Sequence, residues 1–322
     1  VKIGMMFSGN ADLTPAEAQE LSKRAEEKGF AGVWIGETTL RDAAVLATLM
    51  SVSTRKVEVG TSIVNVYTRT PGQLAMLGAT LNEVSGGRFI LGLGASTPAI
   101  IEGWHGGAYS QPLKRVEETI KLLRMYFSGE KFDYSGVFYS PKNARLRAGK
   151  PPEIALAALN RKMTALGARV ADRLIFNLNP PEEIGRTVNF VKEEAMAAGH
   201  PKPELCVMLY SYVLDDGAEA MTHAKDLIGF YGSSDAYSRM FSSFGFSSEA
   251  DGMLAAWKDR NREKVRASVT EEMVHHLLAF GSTEALREKL ARYEKAGVDN
   301  VLIAPSPFGD FLSNTRKIIE VL

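Results

Sequence analysis

A single cysteine, Cys206, stands in the 322-residue chain, which excludes a disulfide scaffold and any site built on a cysteine cluster. It lies in the apolar run Leu205-Cys206-Val207-Met208-Leu209, so a buried thiol in a reducing compartment is expected. Long hydrophobic runs are missing too: none approaches the roughly 18 residues of a membrane span. Neither sign of charge is in excess, with 38 Lys and Arg against 38 Asp and Glu. That balance argues against general binding to nucleic acid or to an anionic membrane, and leaves room for a local basic pocket. The first residues, Val1-Lys2-Ile3-Gly4, enter a strand directly, with no signal-peptide pattern. A cytoplasmic enzyme acting on a small-molecule substrate is the expectation. Motifs of hydrolases are absent as well. No Gly-x-Ser-x-Gly elbow occurs. His275 and His276 are adjacent on a helix and do not share a face, so chelation by the pair is not expected.

What the chain does have is alternation. Residues 2–7, 32–37, 57–61, 88–93, 153–158, 173–177, 205–214 and 301–304 read as eight short apolar strands, with helical patterns between them. Thr14-Pro15-Ala16-Glu17 has the spacing of a capping box, and Thr70 precedes Pro71 as an N-cap does. Residues 131–139 read as a hairpin of short aromatic strands around Ser135-Gly136, and residues 215–280 as a helical stretch with no clear strand. Hydrophobic residues make up 45% of the chain, an ordinary globular balance with no composition break. The expected architecture is α/β: one domain over 1–322, a (β/α)8 TIM barrel with a helical insertion at about 215–280, between strands seven and eight. An open doubly wound sheet is the alternative.

Barrels of this kind carry their chemistry at the C-terminal ends of the strands. The stretch 57–71 is the centre of interest, because small polar residues end its strand and a rigid turn leads into a helix. An ordinary strand–loop–helix connection has the same pattern. Glu37 closes an apolar strand, where a carboxylate is paired, hydrated or functional, the pairing being an ion pair with an arginine such as Arg69. Gly92-Leu93-Gly94-Ala95-Ser96-Thr97 lacks the third glycine of a dinucleotide fingerprint, which removes the Rossmann reading. Gly94 still permits close backbone approach, and Thr97-Pro98 opens a helix facing either an anion or solvent. Asn160-Arg161-Lys162 starts another helix, as a phosphate seat or as plain surface charge. Trp104, His105 and Tyr109 follow strand four in a glycine-rich loop, and His105 reads as a proton donor or as an exposed loop residue.

Several stretches then fall in a familiar order: Gly32-Val33-Trp34-Ile35-Gly36-Glu37, Gly60-Thr61-Ser62-Ile63-Val64-Asn65, Tyr67-Thr68-Arg69-Thr70-Pro71, Gly86-Gly87-Arg88-Phe89-Ile90-Leu91-Gly92-Leu93-Gly94, Ala171-Asp172-Arg173-Leu174-Ile175-Phe176-Asn177 and Ala296-Gly297-Val298-Asp299. In these the chain resembles the bacterial luciferase-like flavin and deazaflavin oxidoreductases, in particular the branch that uses the deazaflavin coenzyme F420 and includes methylenetetrahydromethanopterin reductase. The resemblance implies a non-proline cis peptide at Ser62-Ile63, with a bulge backing the deazaflavin ring. It implies Thr38, Ser62, Ile63, Val64 and Asn65 near the ring, and Gly94, Ala95, Ser96, Ala158, Asn160, Arg161 and Asn177 near the ribityl-phosphate tail. Glu37 and His105 are its catalytic candidates, with Tyr67 as a possible helper, and a homodimer is its implied assembly. FMN as cofactor of a monooxygenase is the alternative chemistry; a non-catalytic flavin- or deazaflavin-binding protein is a further one. Two departures stand out. The sugar-phosphate dehydrogenase branch has a histidine where this chain has Thr38, and a glutamate where it has Thr97. Its proton-transfer pair is therefore not carried over.

Overall fold

The computed structural model describes residues 1–147, 149–214 and 217–322. In chain order the elements are β1 (Lys2–Phe7), α1 (Pro15–Glu27), β2 (Gly32–Ile35), α2 (Ala43–Ser53), β3 (Glu58–Thr61), β4 (Val64–Asn65), α3 (Pro71–Val84), β5 (Phe89–Gly94), α4 (Pro112–Phe127), β6 (Glu153–Ala157), α5 (Arg161–Val170), β7 (Arg173–Asn177), α6 (Pro181–Ala197), β8 (Glu204–Val213), α7 (Gly217–Gly232), α8 (Asp235–Ser243), α9 (Ser247–Lys258), α10 (Arg262–Ala267), α11 (Glu271–Leu277), β9 (Ala279–Gly281), α12 (Thr283–Lys295), β10 (Asn300–Pro305) and α13 (Phe311–Val321). A π-helix (Ala99–Trp104) lies between β5 and α4 in the sequence. The fold class is the (β/α)8 barrel. Its strands are β1, β2, β3 with its continuation β4, β5, β6, β7, β8 and β10.

The chain divides into two compact units. The first holds Gly4–Ile175 and Val191–Glu204. Its strands pair in parallel: Met5 lies opposite Val33, Val33 opposite Val59, Val59 opposite Phe89, Leu91 opposite Ile154 and Leu156 opposite Leu174. β2 and β5 are buried along their whole length, which explains their continuous apolar sequences. Helices begin where their caps predict. Thr14 and Glu17 form a full capping box, and so do Thr70 and Gln73. At the N-terminal end of β7, Arg173 gathers Glu58, Glu153 and Glu204 at 2.7, 2.7 and 3.3 Å. Charge at that end of a barrel serves stability, since ligands bind at the other.

The hairpin expected over 131–139 is present as a loose, longer one: Phe132 and Ala144 pair antiparallel, the Tyr134 N–H donates to the Pro141 carbonyl and the Gly136 N–H to that of Tyr139, so the chain reverses over 136–139 and not at Ser135-Gly136. At the reversal the backbone N–H groups of Val137, Phe138 and Tyr139 donate to the Glu118 carboxylate of α4. A charged acceptor fixes the turn.

The second unit holds Val1–Ile3, Phe176–Phe190 and Leu205–Leu322. In it Val301 lies opposite Val207 and Ile303 opposite Leu209, again in parallel. The expected insertion is helical through α7 to α11, while its first two positions, 215 and 216, lie outside the described residues. It does contain a strand. Ala279 of β9 pairs with Ser211 of β8, and three residues are too few for an alternating pattern to register.

Candidate functional site

The first unit's candidate site begins where β3 stops. Thr61 is fully buried, and its hydroxyl both donates to the Gly92 carbonyl and accepts from the Gly92 N–H, each at 2.9 Å. The small polar residues that end this strand are thus buried, and one side chain continues the β3–β5 ladder where backbone pairing lapses. The peptide between Ser62 and Ile63 is cis, as the family resemblance implies. Pairing resumes in β4, with Val64 opposite Leu93 and Asn65 opposite Gly94. Between the two ladders Ile63 turns its side chain onto Gly94, where a Cβ would lie 3.0 Å from the Ile63 Cδ1. The space that glycine leaves is thus filled from within. Asn65 is buried and its Oδ1 accepts from the Tyr67 and Thr68 N–H groups and from the Thr68 hydroxyl, at 2.9–3.0 Å. This is an Asx turn, and it aims the chain toward Arg69.

Arg69 meets Glu37 with both arms of its fork, at 2.6 and 2.7 Å, and reaches Asp42 at 2.8 Å. The Glu37 and Arg69 side chains are only 10% and 17% exposed. The Glu37 carboxylate raises the Arg69 pKa further. The ion pair read for Glu37 is present, and both of its oxygens accept from the Arg69 guanidinium. Asp42 serves twice, since it also caps α2 by accepting from Ala44 and Val45. Thr38 spends its hydroxyl on the Gly9 carbonyl, at 2.5 Å. Glu37, Thr38, Arg69, Trp104 and His105 line a common cavity of about 360 Å³. His105 is exposed there beside Trp104, at the end of the π-helix that Thr97-Pro98 opens.

Around this cavity's loops, Tyr67 stacks on Tyr109 with ring centroids 5.1 Å apart, and Arg115 lies over the Tyr67 and Phe138 rings at 4.7 and 4.1 Å. Burial is the main reason that the Tyr67 hydroxyl is pushed up to about 12, so it stays protonated and is no base. Tyr109 donates to the Ser96 carbonyl, and Ser96 takes a left-handed φ of 57°. Ala95 and Ser96 are half-buried in that turn. Nearby in sequence, the Ala158 N–H donates to Ile175, Asn160 caps α5 by accepting from Met163, and Arg161 is exposed at its first turn.

Asn177 belongs to the second unit, at the C-terminal end of β7. Its Nδ2 donates to the Tyr237 hydroxyl at 2.7 Å, while its Oδ1 is buried and accepts from nothing among the described residues. The Tyr231 hydroxyl bonds that of Tyr210, and burial pushes the Tyr231 and Tyr237 hydroxyls up in pKa. Tyr237 is not legible in the sequence as a partner of Asn177, since it lies in a helix of the insertion and follows no strand.

The chain is similar along nearly its full length to known proteins. It is 29% identical to a 5,10-methylenetetrahydromethanopterin reductase of Methanolobus tindarius, over 94% of this chain and 92% of the other. It is 27% identical to a Mycobacterium tuberculosis protein named as a coenzyme F420-dependent oxidoreductase, over 94% of each. The structure of the coenzyme F420-dependent tetrahydromethanopterin reductase of Methanopyrus kandleri superposes with a TM-score of 0.83 at 24% identity, covering 100% of this chain and 96% of the other. At that identity the likeness speaks for the fold. Residues 3–300 match the luciferase-like monooxygenase family, nearly the full length. The chain belongs to the luciferase-like monooxygenase family and is an oxidoreductase.

Proposed function

We propose that this protein is a coenzyme F420-dependent oxidoreductase that moves a hydride between the deazaflavin and a small, partly apolar organic substrate. The names of its relatives support the cofactor. The observation that carries the reading is the meeting of three strand ends in the first unit: a Cβ at Gly94 would lie 3.0 Å from the Ile63 Cδ1 and 3.4 Å from the Ala157 Cβ, so the Ser62–Asn65 backbone, the Gly94–Ser96 turn and the approach to α5 converge where barrel ligands bind. The start of α5, with Asn160 as cap and Arg161 exposed beside it, fits an anionic phosphodiester. The backbone from Ser62 to Asn65 and the turn from Gly94 to Ser96 would border the ring.

When bound, the deazaflavin supplies the hydride chemistry at a ring carbon. The chain's own part is positioning and proton handling. Glu37 fixes the Arg69 guanidinium at the cavity wall, and His105, exposed on the same cavity, is the residue proposed for proton transfer. Trp104 and Tyr109 would wall the substrate. Self-association is part of the same reading: α2 and α3 leave Val45, Val52 and Met76 exposed, an apolar face suited to a second copy of the chain. No helix among the described residues is long and apolar enough to cross a membrane.

The test is a titration of the purified protein with coenzyme F420 and, separately, with FMN, followed by tryptophan fluorescence. Saturable binding of F420 with none of FMN is expected. Preference for FMN would replace hydride transfer by the monooxygenase reading, and binding of neither would remove the cofactor assignment.

A further inference from the structure

The second unit has a cavity of its own, of about 320 Å³, between α7, α9, α10 and the loop after β10. That is within the usual size of a small-molecule site. Its walls combine two features that do not arise from folding alone. Phe230 and Trp257 are 49% and 48% exposed, and Phe308 adds a third ring. Large aromatics left half in water at a concave surface mark a place where a ligand displaces that water. The charges beside them are unbalanced. Asp226 gives both oxygens to Arg266, at 2.6 and 2.9 Å. That pair cancels. Lys225 and Arg262 line the same cavity with no carboxylate in ion-pair reach among the described residues. The lining thus carries two uncompensated cations next to three aromatic rings.

We propose that this cavity binds an aromatic anion: a fused or substituted ring bearing a carboxylate. The ring lies against Trp257 and Phe230, and the carboxylate meets the Arg262 fork and the Lys225 ammonium. The Asp226–Arg266 pair fixes the third cation, so it does not compete for the ligand. A cationic or neutral ring of the same size gains the apolar contact and forfeits the charge. The inference stands on this cavity alone and does not depend on the coenzyme assignment.

The chain's three tryptophans make the test direct. Trp34 is buried, Trp104 lines the first unit's cavity and Trp257 lines this one. Protein labelled with 5-fluorotryptophan gives one fluorine resonance for each, assigned with Trp104→Phe and Trp257→Phe. Titration with 2-naphthoate is expected to shift the Trp257 resonance saturably and leave Trp34 in place. The neutral 2-naphthamide is expected to bind at least tenfold more weakly, and the Lys225→Gln/Arg262→Gln variant to lose at least tenfold in naphthoate affinity. The unliganded variant must keep the Trp34 and Trp104 resonances in place, which establishes that it is folded; should it not, Arg262→Gln alone, at an exposed helix start, is expected to lose about threefold. A shift confined to Trp104, equal affinity for naphthoate and naphthamide, or undiminished affinity in the variants would overturn the proposal.

Discussion

In the cavity at Glu37, one guanidinium is shared between two carboxylates; in the cavity at Trp257, two cations have no carboxylate within ion-pair distance among the described residues. The first arrangement holds side chains still. A forked arginine between Glu37 and Asp42 has one geometry, and the loops that carry the three residues are pinned to it. The second keeps its charge available. Neutralised charge is a building material, while surplus charge beside exposed rings is a recognition surface. Composition cannot make that distinction, because all of these residues are equally countable in a chain of zero net charge.

The contrast can be broken by removing charge from each side. Arg69→Ala leaves two carboxylates unneutralised beside each other, one of them almost buried, and is expected to cost about 3 kcal/mol in urea unfolding and to abolish turnover. Arg69→Lys restores the charge without the fork and should recover only part of that stability. Lys225→Gln/Arg262→Gln is expected to change stability by less than about 0.5 kcal/mol. If the second pair proved as costly as the first, the contrast would fail.

A smaller effect sharpens it at the strand end that leads into the paired cavity. Thr61→Val keeps the shape, removes the hydroxyl, and leaves the Gly92 N–H and carbonyl without partners. A loss of about 2 kcal/mol is expected, with Thr61→Ser close to wild type. Equal losses in both variants would show that packing and not hydrogen bonding is at stake. The smallest effect concerns the tyrosine in the turn between Asn65 and Arg69. With its folded pKa raised to about 12, the Tyr67 hydroxyl keeps its proton after the unfolded chain, near 10, has lost its own. Its contribution to stability is present below pH 10 and is lost as pH rises to about 12. Tyr67→Phe should make the alkaline fall in stability shallower over that window and leave neutral pH nearly unchanged.

Much of this architecture is readable from residue order. Parallel strands buried on both faces are continuous apolar runs, and Thr14, Thr70 and Asn160 announce helix starts because their side chains satisfy backbone N–H groups that helices leave open. What is not readable is competition. Nothing local says that Glu118, on a helix, will take three N–H groups of the turn over 136–139 and so move the reversal away from Ser135-Gly136. Glu37 is legible as a carboxylate in need of an explanation, and Arg69 as its possible partner; choosing the ion pair requires their distance. The cavity at Trp257 is hidden for a different reason. Its rings and cations come from three helices and a loop, and each residue taken alone looks like ordinary surface.

The Thr61–Gly92 contact has a consequence for the history of the chain. A Cβ at position 92 would sit 1.7 Å from the Thr61 carbonyl oxygen, so position 92 admits no side chain while the strand keeps this course. Position 61 in turn needs a hydroxyl, because it alone serves both polar groups of that glycine. Two sites 31 positions apart are therefore inherited as one character. A lineage that drifts away from this pairing must first reroute the strand between them, and until it does, every viable sibling should keep glycine at 92 and a hydroxyl, of threonine or serine, at 61.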